Sequence, residues 1–124
     1  MSQFGAYRKA LTAVTTTTAG GAAAIANPEG VPLIITRAVL YIPTASTGAA
    51  TVDVGVAANA TTSSDNLIDG MSTAAAGAFG NVGDPGTNGK ANQVWGATQY
   101  VTCTASATLA GMVGYLYIEY LRGE

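Results

Sequence analysis

Residues 49–58, which read AATVDVGVAA, give the clearest structural signal in the chain. Valine occupies every second position from 52 to 56, and the positions between hold Thr51, Asp53 and Gly55. Side chains of a β-strand point alternately to its two faces. This spacing therefore predicts a strand with one apolar face and one mostly polar face.

Other segments on both sides of this strand have a similar extended character. Residues 31–42, 92–95, 98–105 and 112–121 combine β-branched and aromatic residues, which are favoured in strands. Residues 71–79 consist mostly of small side chains and fit either a short helix or an edge strand.

Turn-forming residues separate these segments. Residues 27–30 read NPEG and residues 80–89 read GNVGDPGTNG, and Pro, Gly and Asn favour tight turns. About seven or eight short strands with turns between them are typical of a β-sandwich. We predict an all-β, single-domain, jelly-roll-like antiparallel β-sandwich over residues 11–124, preceded by a short N-terminal arm at residues 1–10.

Charged residues are scarce. They make up 10% of the 124 residues, against about 25% in an average globular domain. No basic patch is present to neutralise phosphates, which argues against nucleic acid as a partner. The apolar run at residues 19–26 is too short to span a membrane, and the first nine residues lack the apolar core of a signal peptide. The composition predicts a protein made in the cytoplasm whose surface is partly covered by other subunits.

The commonest general base and metal ligand, histidine, is missing. The chain has no histidine and one cysteine, Cys103, which excludes Cys–His nucleophile pairs and zinc sites built from Cys and His. We expect Cys103 to be a buried apolar residue. Asp53 and Glu119 lie on predicted strands where a cross-strand pair is conceivable, although separate outer-face positions are the simpler interpretation. We predict no enzymatic activity, no catalytic residue, no cofactor and no metal site.

Tyrosine is concentrated in the last predicted strand. Tyr115, Tyr117 and Tyr120 lie within residues 112–121, and tyrosine is enriched at protein interfaces because it combines apolar area with a polar tip. We predict that these three residues contact other subunits. Two core tyrosines and one exposed tyrosine are the alternative, and a carbohydrate platform that also uses Trp95 is a further one.

Three blocks of the chain resemble small head proteins of tailed bacteriophages. They are residues 45–57 (ASTGAATVDVGVA), residues 64–70 (SDNLIDG) and residues 111–120 (GMVGYLYIEY). The resemblance is to the decoration, or cement, proteins; it covers roughly residues 31–121 and includes no catalytic signature. It implies a jelly-roll or β-sandwich body that binds the outside of the phage head, often as a homotrimer, and stabilises contacts between major capsid proteins.

The predicted arm carries the remaining candidate contacts. Phe4 and Tyr7 are candidates for insertion into pockets of neighbouring subunits, and Arg8 and Lys9 for ion pairs with capsid carboxylates. A terminus without a role is the alternative.

The expected partners are therefore the phage major capsid protein and further copies of this chain, most simply in a homotrimer. The expected location is the outer capsid surface of the virion, after synthesis in the host cytoplasm. A phage tail or baseplate component and a carbohydrate-binding β-sandwich module are the alternative functions.

Overall fold

The computed structural model describes residues 3–122, which form nine β-strands and no helix. In chain order the strands are β1 (Phe4–Ala10), β2 (Ala23–Ala26), β3 (Leu33–Thr44), β4 (Thr51–Ala57), β5 (Ile68–Ser72), β6 (Gly77–Gly80), β7 (Gln93–Trp95), β8 (Tyr100–Ala105) and β9 (Val113–Arg122). Within this range nothing helical has the length and apolar character needed to cross a membrane.

The strands form two antiparallel sheets that enclose one core. Sheet A has the order β1-β9-β3-β6, with the short β7 also paired to β3, and sheet B has the order β2-β8-β4-β5. When β7 is left out, the chain visits the two sheets in the order of an eight-stranded jelly roll. The predicted all-β, single-domain, jelly-roll-like sandwich is confirmed.

Alternate residues of the long strands fill the space between the sheets. In β4, Val52 and Val54 are buried, and in β9, Leu116 and Ile118 are buried. The alternation seen in the sequence at residues 52–56 therefore places its valines against the core. Burial of each side chain of this kind contributes about 1.5–3 kcal/mol relative to exposure.

Asn81 holds the long connection between β6 and β7 against sheet A. Its side chain is fully buried. Its Oδ1 accepts a hydrogen bond from the Ala38 N–H at 2.8 Å, and its Nδ2 donates to the carbonyls of Lys90 and Ala91 at 2.8 and 3.1 Å. One amide thus provides hydrogen-bond partners for three backbone groups, of which the Ala38 N–H is buried.

Asn27 has the same role in the predicted turn at residues 27–30. Its Oδ1 accepts from the N–H groups of Glu29 and Gly30 at 2.9 and 3.0 Å, and its Nδ2 donates to the carbonyl of Trp95 at 3.0 Å. Gly30 has a φ of 72°, a left-handed conformation that glycine adopts without strain.

The N-terminal segment differs from its prediction. Residues 4–10, predicted to belong to an arm, form instead the edge strand β1, which pairs with β9 from Phe4↔Leu121 to Ala10↔Tyr115. Six of these seven residues are exposed and the seventh is half-buried. Because the core covers β1 only at Gly5, which lies over the Tyr120 ring, its sequence has no apolar alternation to reveal the strand.

Two details of β3 and the following region also differ. β3 extends beyond the segment 31–42 to Thr44 and includes Pro43. This proline falls at a register shift between Tyr41 and Thr44, a position where a residue without an N–H is tolerated. The ambiguous residues 71–79 contain the end of β5 and most of the edge strand β6, so the edge-strand alternative is confirmed.

Candidate functional site

The outer face of sheet B is covered by the chain's own loops. The Thr102 hydroxyl of β8 donates to the carbonyl of Thr62 at 2.9 Å, and Thr102 is fully buried although it points away from the core. The hydroxyl of Thr104 accepts from the Gly20 N–H at 3.0 Å. Two connections therefore shield this sheet, one before β2 and one between β4 and β5.

The outer face of sheet A has no such cover. Of the eight large apolar side chains that are exposed in residues 3–122, six lie on this face: Phe4, Ile34, Tyr41, Val94, Val113 and Tyr117. Large contiguous apolar patches are uncommon on monomers and usually mark interaction sites. We call this surface, formed by the outward side chains of β1, β9, β3 and β7, the bare face.

An aromatic row crosses the bare face. The Arg8 guanidinium of β1 lies 4.6 Å from the centre of the Tyr115 ring on β9, and Tyr115 stacks on Tyr41 of β3 with ring centres 6.3 Å apart and an interplanar angle of 22°. Cation–π contacts and stacking fix these long side chains before any partner binds. Less conformational entropy is then lost on association.

Two shallow grooves open on the bare face. The larger has a volume of about 780 Å³, and the smaller has a volume of about 300 Å³. Ala6 and Glu119 line both grooves. The small side chain of Ala6 leaves this space open beside the irregularity of β3 between Ile35 and Arg37. The grooves are recesses in the bare face into which side chains of a partner can fit.

The seven candidate contact residues are distributed over three places. Phe4, Arg8, Tyr115 and Tyr117 lie on the bare face. Tyr7 and Lys9 are exposed on the other side of β1, and Tyr120 is buried.

Tyr120 belongs to the core rather than to a surface. Its hydroxyl donates to Glu29 Oε2 at 2.7 Å, and Arg122 forms an ion pair with Glu29 Oε1 at 2.9 Å. Its ring lies beneath Gly5, where an added Cβ would come within 2.3 Å of it. Burial, followed by the Glu29 hydrogen bond, raises the pKa of Tyr120 to about 12.

The position of Trp95 argues against the carbohydrate-binding interpretation, which depended mainly on this residue. Trp95 is fully buried, its Nε1–H donates to the Gln99 carbonyl at 3.0 Å, and its ring meets Tyr120 edge-on with centres 6.3 Å apart. A ring enclosed in this way cannot stack on a sugar.

Several residues of the bare face escaped prediction: Ile34, Tyr41 and Val94. The sequence signal was the apolar but non-alternating start of residues 31–42. Leu33 and Ile35 face the core while the outward Ile34 is also apolar, so the alternation of the backbone is not visible in residue type. The register shift between Ile35 and Arg37 then changes the outward positions, because Ile34 and Arg37 both face outward, three positions apart. A β-bulge changes which positions share a face, and simple alternation cannot reveal it.

The two carboxylates that suggested a cross-strand pair lie on different sheets. Asp53 is in β4 of sheet B and Glu119 is in β9 of sheet A, and both point away from the core. Burial raises the pKa of Asp53, although its Oδ1 accepts a hydrogen bond from the Gly70 N–H. Within residues 3–122, no group of three or more Cys, Asp or Glu side chains has a geometry that would hold a metal ion.

Cys103 is fully buried, as expected, and makes stability depend on pH. Burial, and to a lesser extent the charge of Asp53, raises the pKa of this thiol to about 12. The unfolded chain releases the thiol proton at lower pH than the folded protein does, so the free energy of unfolding falls as pH rises from about 9 towards 12.

Urea unfolding at pH 8 and pH 10.5 tests this dependence. The free energy of unfolding should decrease less between the two pH values for Cys103→Ala than for the wild type. An equal loss in both proteins would contradict this assignment.

Comparison with protein-family models, with curated proteins and with solved structures finds no match to this chain.

Proposed function

We propose that the protein is a non-enzymatic structural component of a virion, a decoration protein that binds the outside of a phage head through the bare face. One observation carries the proposal: the chain covers sheet B with its own loops and leaves the apolar outer face of sheet A exposed. In this role the face lies across neighbouring major capsid proteins and stabilises their contact.

The composition of the bare face suits an interface between proteins. Tyrosine and arginine are enriched at such surfaces, while charged residues are depleted from their centres. Tyr41, Tyr115 and Tyr117 provide aromatic area, and Arg8 and Arg37 lie among them with Glu119 as the acidic residue. Repeated attachment over a symmetric shell makes modest single contacts effectively strong.

The fold agrees with this role without deciding it. Jelly rolls occur in viral capsid proteins and also in lectins, and a fold by itself does not define a function. The resemblance of three sequence blocks to phage decoration proteins favours the first of these uses. A tail or baseplate component would use the same face on a different part of the particle.

Co-sedimentation with empty heads from the parent particle tests the proposal. Tyr117→Glu places a charge at the centre of the bare face, where Tyr117 is 38% exposed. We expect binding to weaken by at least about 30-fold, which corresponds to the 2 kcal/mol of an interface hot spot. Val82→Glu is the matched control, since Val82 is 62% exposed but lies in the loop after β6.

Wild-type binding to heads, lost in Tyr117→Glu and retained in Val82→Glu, supports the proposal. No binding of the wild type to heads contradicts it, and binding to purified tails alone would favour the tail alternative. Thermal melting of both variants ensures that a loss of binding does not reflect unfolding.

A further inference from the structure

β1 is the longest regular edge strand in residues 3–122. The edge strands β2 and β6 have four residues each, and the pairing of β5 with β4 is interrupted by a register shift. β1 has seven residues and pairs with β9 without any shift. Proteins commonly protect an edge by shortening or bulging it, because an edge is a template for another strand. β1 has neither form of protection.

The backbone pattern shows which groups of β1 are directed outward. The Leu11 N–H donates to the Gly114 carbonyl, and the Arg122 N–H donates to the Gln3 carbonyl, both at 2.9 Å. In an antiparallel pair, residues bonded to the neighbour alternate with residues whose groups point away. The backbone N–H and C=O groups of the odd-numbered residues of β1 therefore form hydrogen bonds with β9. The N–H and C=O groups of Ala6, Arg8 and Ala10 point away from the sheet.

The Arg8 side chain of β1 does not cover this edge. Charged side chains often guard an edge, but the Arg8 guanidinium is drawn back over Tyr115 of β9, at 4.6 Å from the ring centre. Lys9 lies on the opposite side of the strand from Arg8.

We propose that β1 pairs with β1 of a second copy of this chain, antiparallel, around a two-fold axis at Tyr7. With all seven residues overlapped, three large side chains face small ones: Phe4 faces Ala10, Arg8 faces Ala6, and Lys9 faces Gly5 of the second copy. Tyr7 faces Tyr7 of the second copy, and cross-strand aromatic pairs are favourable. No two like charges are directly opposite in this register.

This pairing joins the two copies of sheet A and makes the bare face continuous across both. Its two-fold symmetry gives a dimer, in place of the homotrimer implied by the resemblance. The inference does not depend on head binding, because it concerns the protein alone in solution.

Sedimentation velocity over a concentration series tests the pairing. We expect the mass to rise from 12.3 kDa towards twice that value. Ala6→Pro removes an outward N–H, and proline is tolerated on an edge strand when the missing N–H faces away. We expect it to raise the dimer dissociation constant at least tenfold, whereas Ala6→Ser, which keeps the N–H and the small side chain, leaves it unchanged.

A disulfide test does not depend on Ala6→Pro folding correctly. Directly opposite residues of a non-hydrogen-bonded pair have Cα atoms about 4.5 Å apart, within the range for a disulfide. Tyr7→Cys should form a covalent dimer on mild oxidation. Lys9→Cys should not, because in this register residue 9 of one copy lies opposite residue 5, and not residue 9, of the second copy. Cys103 is buried and does not compete. A constant single-chain mass, a three-chain mass, or equal cross-linking at both positions would overturn the proposal.

Discussion

Replacement of Trp95 by alanine is expected to lower the free energy of unfolding by about 3–5 kcal/mol, the usual cost of deleting a large core aromatic. Trp95 is fully buried and contacts Tyr120 edge-on. The substitution removes the ring and leaves a cavity beside Leu33, its partner in the β3–β7 register. It also removes the Nε1–H donor of the Gln99 carbonyl, which keeps a hydrogen bond from the Asn27 N–H at 3.2 Å. Because the free energy of unfolding of a small domain is only about 5–15 kcal/mol in total, the substitution would remove a large part of it.

Urea unfolding followed by far-ultraviolet circular dichroism measures this effect. Val94→Ala is the matched control, because Val94 precedes Trp95 on β7, faces outward and is 56% exposed. We expect it to change stability by less than about 0.5 kcal/mol. A loss below about 1 kcal/mol in Trp95→Ala would mean that the ring is not enclosed, and it would restore the carbohydrate interpretation.

Replacement of Asn81 by aspartate is expected to cost at least about 3 kcal/mol. The two side chains have nearly the same shape, but a carboxylate cannot donate to the carbonyls of Lys90 and Ala91 that Nδ2 contacts. It would also place a charge where the side chain is fully buried. The loss should be smaller at pH 4 than at pH 8, because protonation removes the buried charge and restores one donor.

Asn92→Asp provides the control for this change. Asn92 lies in the same connection and is exposed, so the same change of charge should alter stability by less than about 0.5 kcal/mol. Thermal melts of both variants at the two pH values make the comparison. Equal stability of Asn81→Asp and Asn92→Asp would contradict the role of Asn81 in closing the β6–β7 connection.

The sequence predicts the fold well where one side of a strand is buried. Residues 52–56 alternate because one side of β4 meets the core, and the predicted strand is confirmed. Residues 112–121, predicted as a strand although both of its sides carry apolar residues, contain β9. The arm at residues 1–10 was a different case. Residues 1 and 2 lie outside the described range. The side chains of β1 are almost all exposed, so its pairing with β9 depends on backbone hydrogen bonds, which leave no pattern in residue type.

The candidate surface was predicted in part for similar reasons. Tyr115 and Tyr117 were identified from their density in one strand, and they lie on the bare face. Tyr120 occupies an inward position of the same strand and is buried, so its predicted subunit contact is wrong. The alternative of two core tyrosines and one exposed tyrosine is met only in part, because Tyr115 is half-buried on the outer face. Ile34 and Tyr41 belong to the bare face because β3 lies beside β9 in sheet A, and strand order cannot be read from one sequence.

The central claim is that the bare face of sheet A is the surface that binds the capsid. An electron cryo-microscopy reconstruction of the parent particle, compared with one lacking this protein, tests it most directly. The account predicts additional density on the outside of the head, with the sandwich oriented so that Tyr117 and Val94 lie within about 4 Å of capsid residues. Density that turns sheet B towards the head and leaves sheet A exposed to solvent, or no density on the head, would contradict it.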